Sequence, residues 1–496
     1  MDYRALFNAM LPDLLVVVAL FGALGVDYAR MRGRDLAARY RMAARISIWG
    51  LVAGLVVIGL QLAGKLPLME TGALTIMTDG QLVLNSGTLA LKALLFALGL
   101  AVIPLAARHT VTPQASEYFA LLLLATLGMG FVVTSRNLLG AFVALELVSL
   151  SLYALTALHQ THRTSAEAAL KYLTYGGVST AFLLFGLSYF YGMTGALDLS
   201  AMSAAVPSSP LITVAYLFIL VGLGFKIAVA PFHLWAPDVY QAAPTPAASW
   251  IASGSKIAGV ALLLVLLKPV AGQPPIVLLL AAMAVLSMAV GNLGALRQSN
   301  LKRLLAYSAI ANAGYILVAV VAFSDVGHAA AVFYTVVYAI ATLGAFAVVA
   351  LLSDRLGREA EIDDFRGCWK TNPGLAAAML IFILSLAGIP PLAGFIGKFY
   401  LFFAVIEANP QIGPWTGGGY GLVALALGFS VVALYYYLKV LKAIFVSEEE
   451  GALDEKLVDL ASGAVVLMLA LLTVAVGIWP QKIIAFIETQ LFHGLG

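Results

Sequence analysis

The chain has 496 residues, of which 62% are hydrophobic and only 11% are charged, and its formal net charge is +3. Soluble proteins carry about 25% charged residues, whereas here the apolar residues form blocks of about 20, long enough to cross a bilayer as a helix. This composition excludes a soluble enzyme, a nucleic-acid-binding protein and a disordered protein, and it predicts a polytopic membrane protein.

Breaks at charged or Gly/Pro-rich positions predict fourteen transmembrane helices. In chain order they cover residues 11–29, 46–64, 88–107, 117–134, 137–158, 168–193, 211–232, 246–268, 275–296, 303–323, 328–352, 374–406, 419–446 and 461–487. The sequence lacks the short alternating segments of a β-barrel, and its longest connections have about 15–25 residues, too few to fold alone. We therefore predict an all-α fold in a single membrane domain, residues 1–496.

The distribution of basic residues predicts the orientation. Acidic and basic residues precede the first apolar block and six arginines follow it, which is the reverse of a signal peptide and indicates an uncleaved first span. Loops after odd-numbered helices hold 16 Lys and Arg residues, and the opposite side holds five. Because basic loops stay in the cytoplasm, both termini are predicted on the outer side.

The other seven basic residues lie inside the predicted helices. They are Lys92, Lys171, Lys226, Lys256, Lys398, Lys439 and Lys442. Lys92, Lys439 and Lys442 lie close to helix ends and are predicted to snorkel to the interface. Lys171, one turn inside helix 6, fits either that role or a functional one.

Three lysines and one acid are predicted near the middle of the membrane: Lys226, Lys256, Lys398 and Glu146. A charge at this depth costs about 2.5–3.5 kcal/mol on insertion scales, so the four cost on the order of 10 kcal/mol. A structural ion pair could account for Glu146 and one lysine, but it leaves two lysines without an acidic partner. Desolvation disfavours a charged lysine and a nearby carboxylate favours it, so this set is typical of a proton or cation path.

Two of these lysines adjoin predicted helix breaks. Pro231 should end helix 7 just after Lys226, and Pro390 and Pro391 interrupt helix 12 before Lys398. Broken spans in matching positions predict two inverted five-helix repeats, residues 117–268 (helices 4–8) and 275–446 (helices 9–13). His233, beside the first break, could relay protons or be structural.

Other residue patterns carry less chemistry. The six histidines are scattered and the single cysteine, Cys368, has no partner for a disulfide or a metal cluster. We therefore expect no redox cofactor or metal in this chain. Tyr435, Tyr436 and Tyr437 are predicted to anchor helix 13 at an interface.

Three motifs carry a resemblance to a known family. GFKIAVAPFHLWAPDVYQAAPTP, GNLGALRQSNLKRLLAYSAIANAGYI and AGIPPLAGFIGKFY resemble the antiporter-like membrane subunits of respiratory complex I and of multisubunit cation/proton antiporters, over helices 4 to 13. Fourteen helices and a lysine in helix 12 fit the chain N branch, since chain L has an added lateral helix and chain M an acid at that position.

The resemblance implies a role for each buried group. Glu146 would pair with Lys226, Lys256 would connect the two halves, and Lys398 would serve the second half-channel. Protons would load Lys226 from the cytoplasmic side and leave outward past Lys398. Lys171 and His233 are weaker candidates.

The resemblance also implies the setting. Energy would come from quinone reduction in a proton-translocating NADH:quinone oxidoreductase of a bacterial inner membrane or an equivalent membrane. NADH, FMN, iron–sulfur clusters and quinone would belong to partner subunits, with chains M, K and J as neighbours. The alternatives are a subunit of a multisubunit Na⁺/H⁺ antiporter and a scaffold that moves no ions.

Overall fold

The computed structural model describes residues 3–66, 75–77, 82–108, 110–159, 163–198, 210–356, 358–415, 417–446 and 459–491. These residues are helical apart from turns and one antiparallel pair of three-residue strands, β1 (Thr75–Met77) and β2 (Leu82–Leu84). In this pair Thr75 lies opposite Leu84 and Met77 opposite Leu82. The predicted all-α class is confirmed.

The described helices are as follows, in chain order. They are α1 (Tyr3–Val26), α2 (Leu36–Leu62), α3 (Ser86–Arg108), α4 (Ala115–Thr134), α5 (Leu138–Ala157), α6 (Arg163–Thr194), α7 (Pro210–Ile227), α8 (Ala236–Ala242), α9 (Thr245–Ala252), α10 (Gly254–Leu267), α11 (Pro274–Leu296), α12 (Leu301–Val320), α13 (Asp325–Leu356), α14 (Cys368–Thr371), α15 (Pro373–Ala387), α16 (Ala393–Ala408), α17 (Gly418–Phe445), α18 (Leu460–Ile478) and α19 (Gln481–Phe486).

Thirteen stretches of these described residues are long and apolar enough to span a membrane, with α9 and α10 together forming one of them. The predicted helix 12 is interrupted, as expected, and is divided into the shorter apolar helix α15 and the helix α16. Several predicted elements were wrong in detail. Helix 1 begins at Tyr3 and helix 2 at Leu36, eight and ten residues earlier than predicted. Helix 8 is divided at Ser253, and helix 14 ends at Ile478.

Several helix ends follow directly from local sequence. The side chain of Asn137 accepts hydrogen bonds from the backbone N–H groups of Leu139 and Gly140 and so caps α5. Asn300 caps α12 in the same way. Proline occupies the first turn of α9, α11 and α15, where its missing N–H costs nothing.

The centre of the molecule is formed by α12, α13 and the α9–α10 pair. In an 18-residue apolar stretch of each spanning helix, the share of buried residues is 94% in α13 and 89% in α12, but only 28% in α6 and 33% in α17. On one side α13 contacts α9, α10 and α12, and on the other it contacts α15, α16 and α18. The two halves of the chain therefore meet along α12 and α13, where the candidate site lies.

Candidate functional site

Glu146 lies on α5 and contacts α6 rather than α7. Its carboxylate accepts a hydrogen bond from the Thr180 hydroxyl at 2.8 Å. Lys226, in the last turn of α7, donates instead to the hydroxyl of Ser149, one helical turn after Glu146. Among the described side chains no ion pair joins Glu146 to Lys226, so the direct pair implied by the family resemblance is not formed in this structure.

The break after Lys226 is confirmed. Helix α7 ends at Ile227, and Ala228 has a φ of 58°, a left-handed conformation that is unfavourable for a residue with a Cβ atom. The indole N–H of Trp235 then donates to the carbonyl of Phe225 at 3.2 Å. The segment after the break therefore folds back against α7, which leaves the lysine at the end of the helix.

Lys256 lies one turn after the division between α9 and α10, and it is 1% exposed. Its ammonium donates to the backbone carbonyl of Ala309 in α12 at 2.6 Å, and the ring of Tyr338 in α13 lies 4.7 Å away. In the described part of the chain no carboxylate lies within ion-pair distance of it. A carbonyl and an aromatic face thus hold this charge, and both come from the central helices.

Lys398 lies on α16, beside the C-terminal end of α15, and is 5% exposed. It donates to the carbonyl of Ala387, the last residue of α15, at 3.1 Å, and it lies 4.9 Å from the ring of Tyr315. The C-terminal end of a helix carries partial negative charge, so the break itself supplies a partner. Gly388 makes room, since a Cβ there would lie 2.9 Å from Lys398 Cδ.

The return of the chain after this break depends on Gly394. A Cβ atom at this position would lie 1.7 Å from the carbonyl oxygen of Ser385. The backbone N–H of Gly394 also donates to the Ser385 hydroxyl at 3.1 Å. Glycine therefore lets α16 start against the end of α15, which positions Lys398 one turn later.

The two weaker candidates lie outside this central group. Lys171 forms ion pairs with Glu167 at 2.7 Å and with Asp238 at 2.8 Å, and Arg303 contacts Asp238 at 2.7 Å. Burial alone would raise the pKa of Asp238, but hydrogen bonds from Lys171 and Arg303 hold it below its ordinary value. His233 is buried beside the first break and its Nδ1 has no hydrogen-bond partner in the described structure.

Sequence reasoning missed a buried polar network between Lys256 and Lys398. Its members are Asn292, Ser308, Asn312, Tyr315, Tyr334, Tyr436 and Tyr437. Tyr334 donates to Asn312 at 2.5 Å, and Asn312 donates to Ser308 at 3.2 Å. Ser308 lies next to Ala309, the carbonyl partner of Lys256, so the network begins beside that lysine.

The second half of the network reaches Lys398. The Ser308 and Tyr437 hydroxyls are 2.5 Å apart, and the rings of Tyr436 and Tyr437 pack with centroids 4.4 Å apart. Tyr436 donates to Asn292 at 3.1 Å, and Asn292 lies 3.4 Å from the hydroxyl of Tyr315. The Tyr315 ring faces Lys398, so polar side chains connect the surroundings of the two lysines.

The tyrosine prediction was wrong for Tyr436 and Tyr437, which are each 1% exposed. Tyr435 is 65% exposed, and its place at an interface stays a prediction. The signal that could have found the network is the spacing of Ser308, Asn312 and Tyr315, which lie on one face of a helix.

The prediction for Lys92 was wrong. Its ammonium does not reach an interface but lies 2.5 Å from the Asp13 carboxylate, with both side chains at most 3% exposed. Lys439 and Lys442 are exposed near the end of α17, and their position at the interface stays a prediction. A buried ion pair therefore links α1 to α3, outside the two predicted repeats.

No group of three or more His, Cys, Asp or Glu side chains suited to a metal ion occurs in the described residues.

Comparison with known proteins identifies relatives over almost the whole chain. Residues 135–420 match the family described as NADH:quinone oxidoreductase/Mrp antiporter, TM. The chain is 40% identical to NADH-quinone oxidoreductase subunit N 2 of Acidobacterium capsulatum, over 98% of this chain and 99% of that protein.

Solved structures agree. A chain of respiratory complex I from Thermus thermophilus with bound aureothin has a TM-score of 0.78 and 34% identity, covering 97% of this chain and 99% of that one. A chain of the Mrp complex from Dietzia sp. also has a TM-score of 0.78, but at 22% identity, covering 99% and 97% of the two chains. The second likeness is one of fold alone.

Proposed function

The chain belongs to the NADH:quinone oxidoreductase/Mrp antiporter family of membrane proteins, and we propose that it moves protons across the bilayer along its buried lysines. It is an integral membrane protein and an antiporter-like subunit of the NADH-quinone oxidoreductase type. The 40% identity with a subunit N over nearly the full length of both chains favours the chain N branch over the Na⁺/H⁺ antiporter alternative.

One observation carries the proposal: Lys256 and Lys398 are fully enclosed without an acidic partner in the described structure. Both donate to backbone carbonyls and face aromatic rings. Each such charge costs about 2.5–3.5 kcal/mol, which packing alone does not require, because apolar side chains of the same volume often stabilise a protein more. A lysine held this way can give up its proton when its surroundings change.

The proposed path runs from the first broken helix to the second. Protons reach Lys226 from the cytoplasmic side, where Glu146 and Ser149 on α5 supply the negative charge and the hydroxyl that favour its protonation. They pass to Lys256 and, with water beside the buried tyrosines, to Lys398. From Lys398 the protons are released to the outer side near the C-terminal end of α15.

We also propose that residues 117–268 and 275–446 are inverted repeats. The breaks after α7 and between α15 and α16 lie five spans apart, and each has a lysine close to it. The paired helices α4 and α5 pack closely, as do α11 and α12. Such pairing is the pattern that internal duplication produces in transporters.

The excess of basic residues on one side supports an orientation with both termini outside. We assign the chain to a bacterial inner membrane or an equivalent one, with the antiporter-like chain M and the small chains K and J as neighbours. NADH, FMN, iron–sulfur clusters and quinone would be held by partner subunits, because the proposed role of this chain requires only proton transfer.

The test uses the purified assembly in proteoliposomes, assayed for inhibitor-sensitive NADH:quinone activity and for proton uptake. We expect Lys398→Met to lower quinone-linked proton uptake at least about tenfold, with assembly unchanged, whereas the exposed Lys439→Met serves as the matched control and has no effect. Wild-type uptake in Lys398→Met would favour a scaffold. Copurification of other multi-span chains without any NADH:quinone activity would favour a Na⁺/H⁺ antiporter.

A further inference from the structure

Two adjoining clefts lie on the face that carries the basic loops, away from the path described above. Their volumes are about 340 and 290 Å³, and Thr164, Ala242 and Glu359 line both. The larger cleft also reaches Lys302 and Thr245, at the beginnings of α12 and α9. The larger cleft therefore connects one surface of the protein to α12 and α9, which both belong to the centre of the molecule.

Lys302 forms the floor of the larger cleft. The sequence suggested a loop residue, but the side chain lies in the first turn of α12 and is only 4% exposed. It donates to the carbonyl of Ala243 at 3.0 Å and lies 3.6 Å from Glu359. Glu359 is 38% exposed, and Asn300 donates to its other carboxylate oxygen at 2.9 Å. A fixed, water-accessible acid thus faces a buried base.

A line of hydroxyls leads inward from this point. Thr245 and Ser249 on α9 and Ser253 at its C-terminal end recur every four residues, and they are 2%, 1% and 0% exposed. Residues four apart lie on the same face of a helix, and eight residues span about 12 Å. The Ser249 and Ser253 hydroxyls donate to the carbonyls of Pro246 and Ser249. Thr245 lines the cleft, and Lys256 follows one turn after Ser253, so the line extends from the cleft toward the central lysine.

We propose that the larger cleft takes up protons through Glu359 and Lys302 and supplies Lys256 directly. The route follows the hydroxyls of α9 and bypasses Lys226, and it rests on the proposed function. Each step moves one proton: Glu359 takes a proton from hydronium in the cleft, leaving water, Lys302 releases its own proton inward, and Glu359 then passes its proton to Lys302. Only O–H and N–H bonds are made and broken.

A purely structural role is the alternative to test against. The Lys302–Glu359 contact also ties the segment after α13 to the start of α12, so its loss could simply loosen the fold. The two roles predict different results when Lys226 is removed. A second uptake route predicts that some proton uptake survives in Lys226→Met, and that this remainder depends on Glu359.

The experiment measures proton uptake per quinone reduced in proteoliposomes of the assembled complex. We expect Lys226→Met to retain part of the wild-type ratio of protons taken up per quinone reduced. In the double variant Lys226→Met/Glu359→Gln this remaining ratio should fall at least about tenfold. Glu359→Asp in the same background should restore it. Glu407→Gln, an exposed acid at the far end of α16, is the matched control and should leave the ratio unchanged.

A second comparison tests the hydroxyl line. Ser249→Ala should lower the remaining ratio in the Lys226→Met background. Ser255→Ala should not, because Ser255 lies two residues beyond Ser253 and therefore on a different face of the helix. If Lys398→Met lowers uptake but Glu359→Gln and Ser249→Ala leave it intact, the cleft route is wrong and the proposed function stands. If Lys398→Met has no effect, the proposed function itself fails.

Discussion

Replacing Lys92 by Met leaves the Asp13 carboxylate alone inside the protein. The two side chains are 2.5 Å apart and at most 3% exposed, and the second oxygen of Asp13 has no hydrogen-bond partner in the described structure. Removing one partner of a buried ion pair leaves an uncompensated charge inside the protein, which costs about 3–5 kcal/mol. We expect Lys92→Met to destabilise the chain by about this amount.

The converse variant, Asp13→Asn, leaves the ammonium of Lys92 alone. Its effect should be similar in size, because the remaining charge is again buried without a partner.

The double variant Asp13→Asn/Lys92→Met removes both charges. It should be more stable than either single variant, because no buried charge is left unpaired. The assay heats the purified assembly in steps and measures how much of the chain remains in the complex after native separation. Single variants as stable as the wild type, or a double variant no better than the weaker single one, would refute the reasoning.

Three further predictions test other parts of the structure. Gly394→Ala should sharply lower the amount of chain in the membrane, measured by immunoblotting of membranes. Gly428→Ala should not lower it, because a Cβ at Gly428 meets no atom within 4 Å. Tyr436→Phe should lower quinone-linked proton uptake severalfold, and Tyr435→Phe should leave it unchanged; equal values would remove the buried tyrosines from the path. Burial raises the pKa of Cys368 to about 11, so at pH 8 only about one thiol in a thousand is a thiolate. Iodoacetamide should therefore label Cys368 only after denaturation, as measured by mass spectrometry. Rapid labelling of the native complex would contradict the burial of this thiol.

The spans and their breaks could be predicted from the sequence because the signals are local. A block of about 20 apolar residues forms a helix in lipid whatever surrounds it, and Pro231 and Pro390 interrupt a helix wherever they occur. Thirteen of the fourteen predicted spans are described helices long and apolar enough to cross a membrane, and both predicted breaks occur. The division of α9 from α10 at Ser253 has no proline or turn motif to mark it, and it was missed.

The side-chain contacts could not be predicted, for a reason specific to membranes. In a soluble protein the apolar face of a helix identifies the core, but lipid is as apolar as the protein interior, so both faces of a spanning helix look alike. Lys92 was therefore assigned to an interface although it meets Asp13, and Tyr436 was assigned to the surface although it is buried. The contact between Glu146 and Thr180 likewise depends on how α5 is rotated against α6, which the sequence does not encode locally.

The two asparagines of the buried network bear on the proton transfer that we propose between Lys256 and Lys398. A hydroxyl can accept one proton and release another, but a carboxamide donates from nitrogen and accepts at oxygen without exchanging the two. Asn312 accepts from Tyr334 and donates to Ser308, and Asn292 is placed in the same manner farther along. The network thus orients the tyrosines without conducting by itself, and transfer requires water beside the amides. A chain that must couple proton movement to a distant reaction needs this property, because a continuous hydroxyl wire between the lysines would conduct whether or not quinone is reduced.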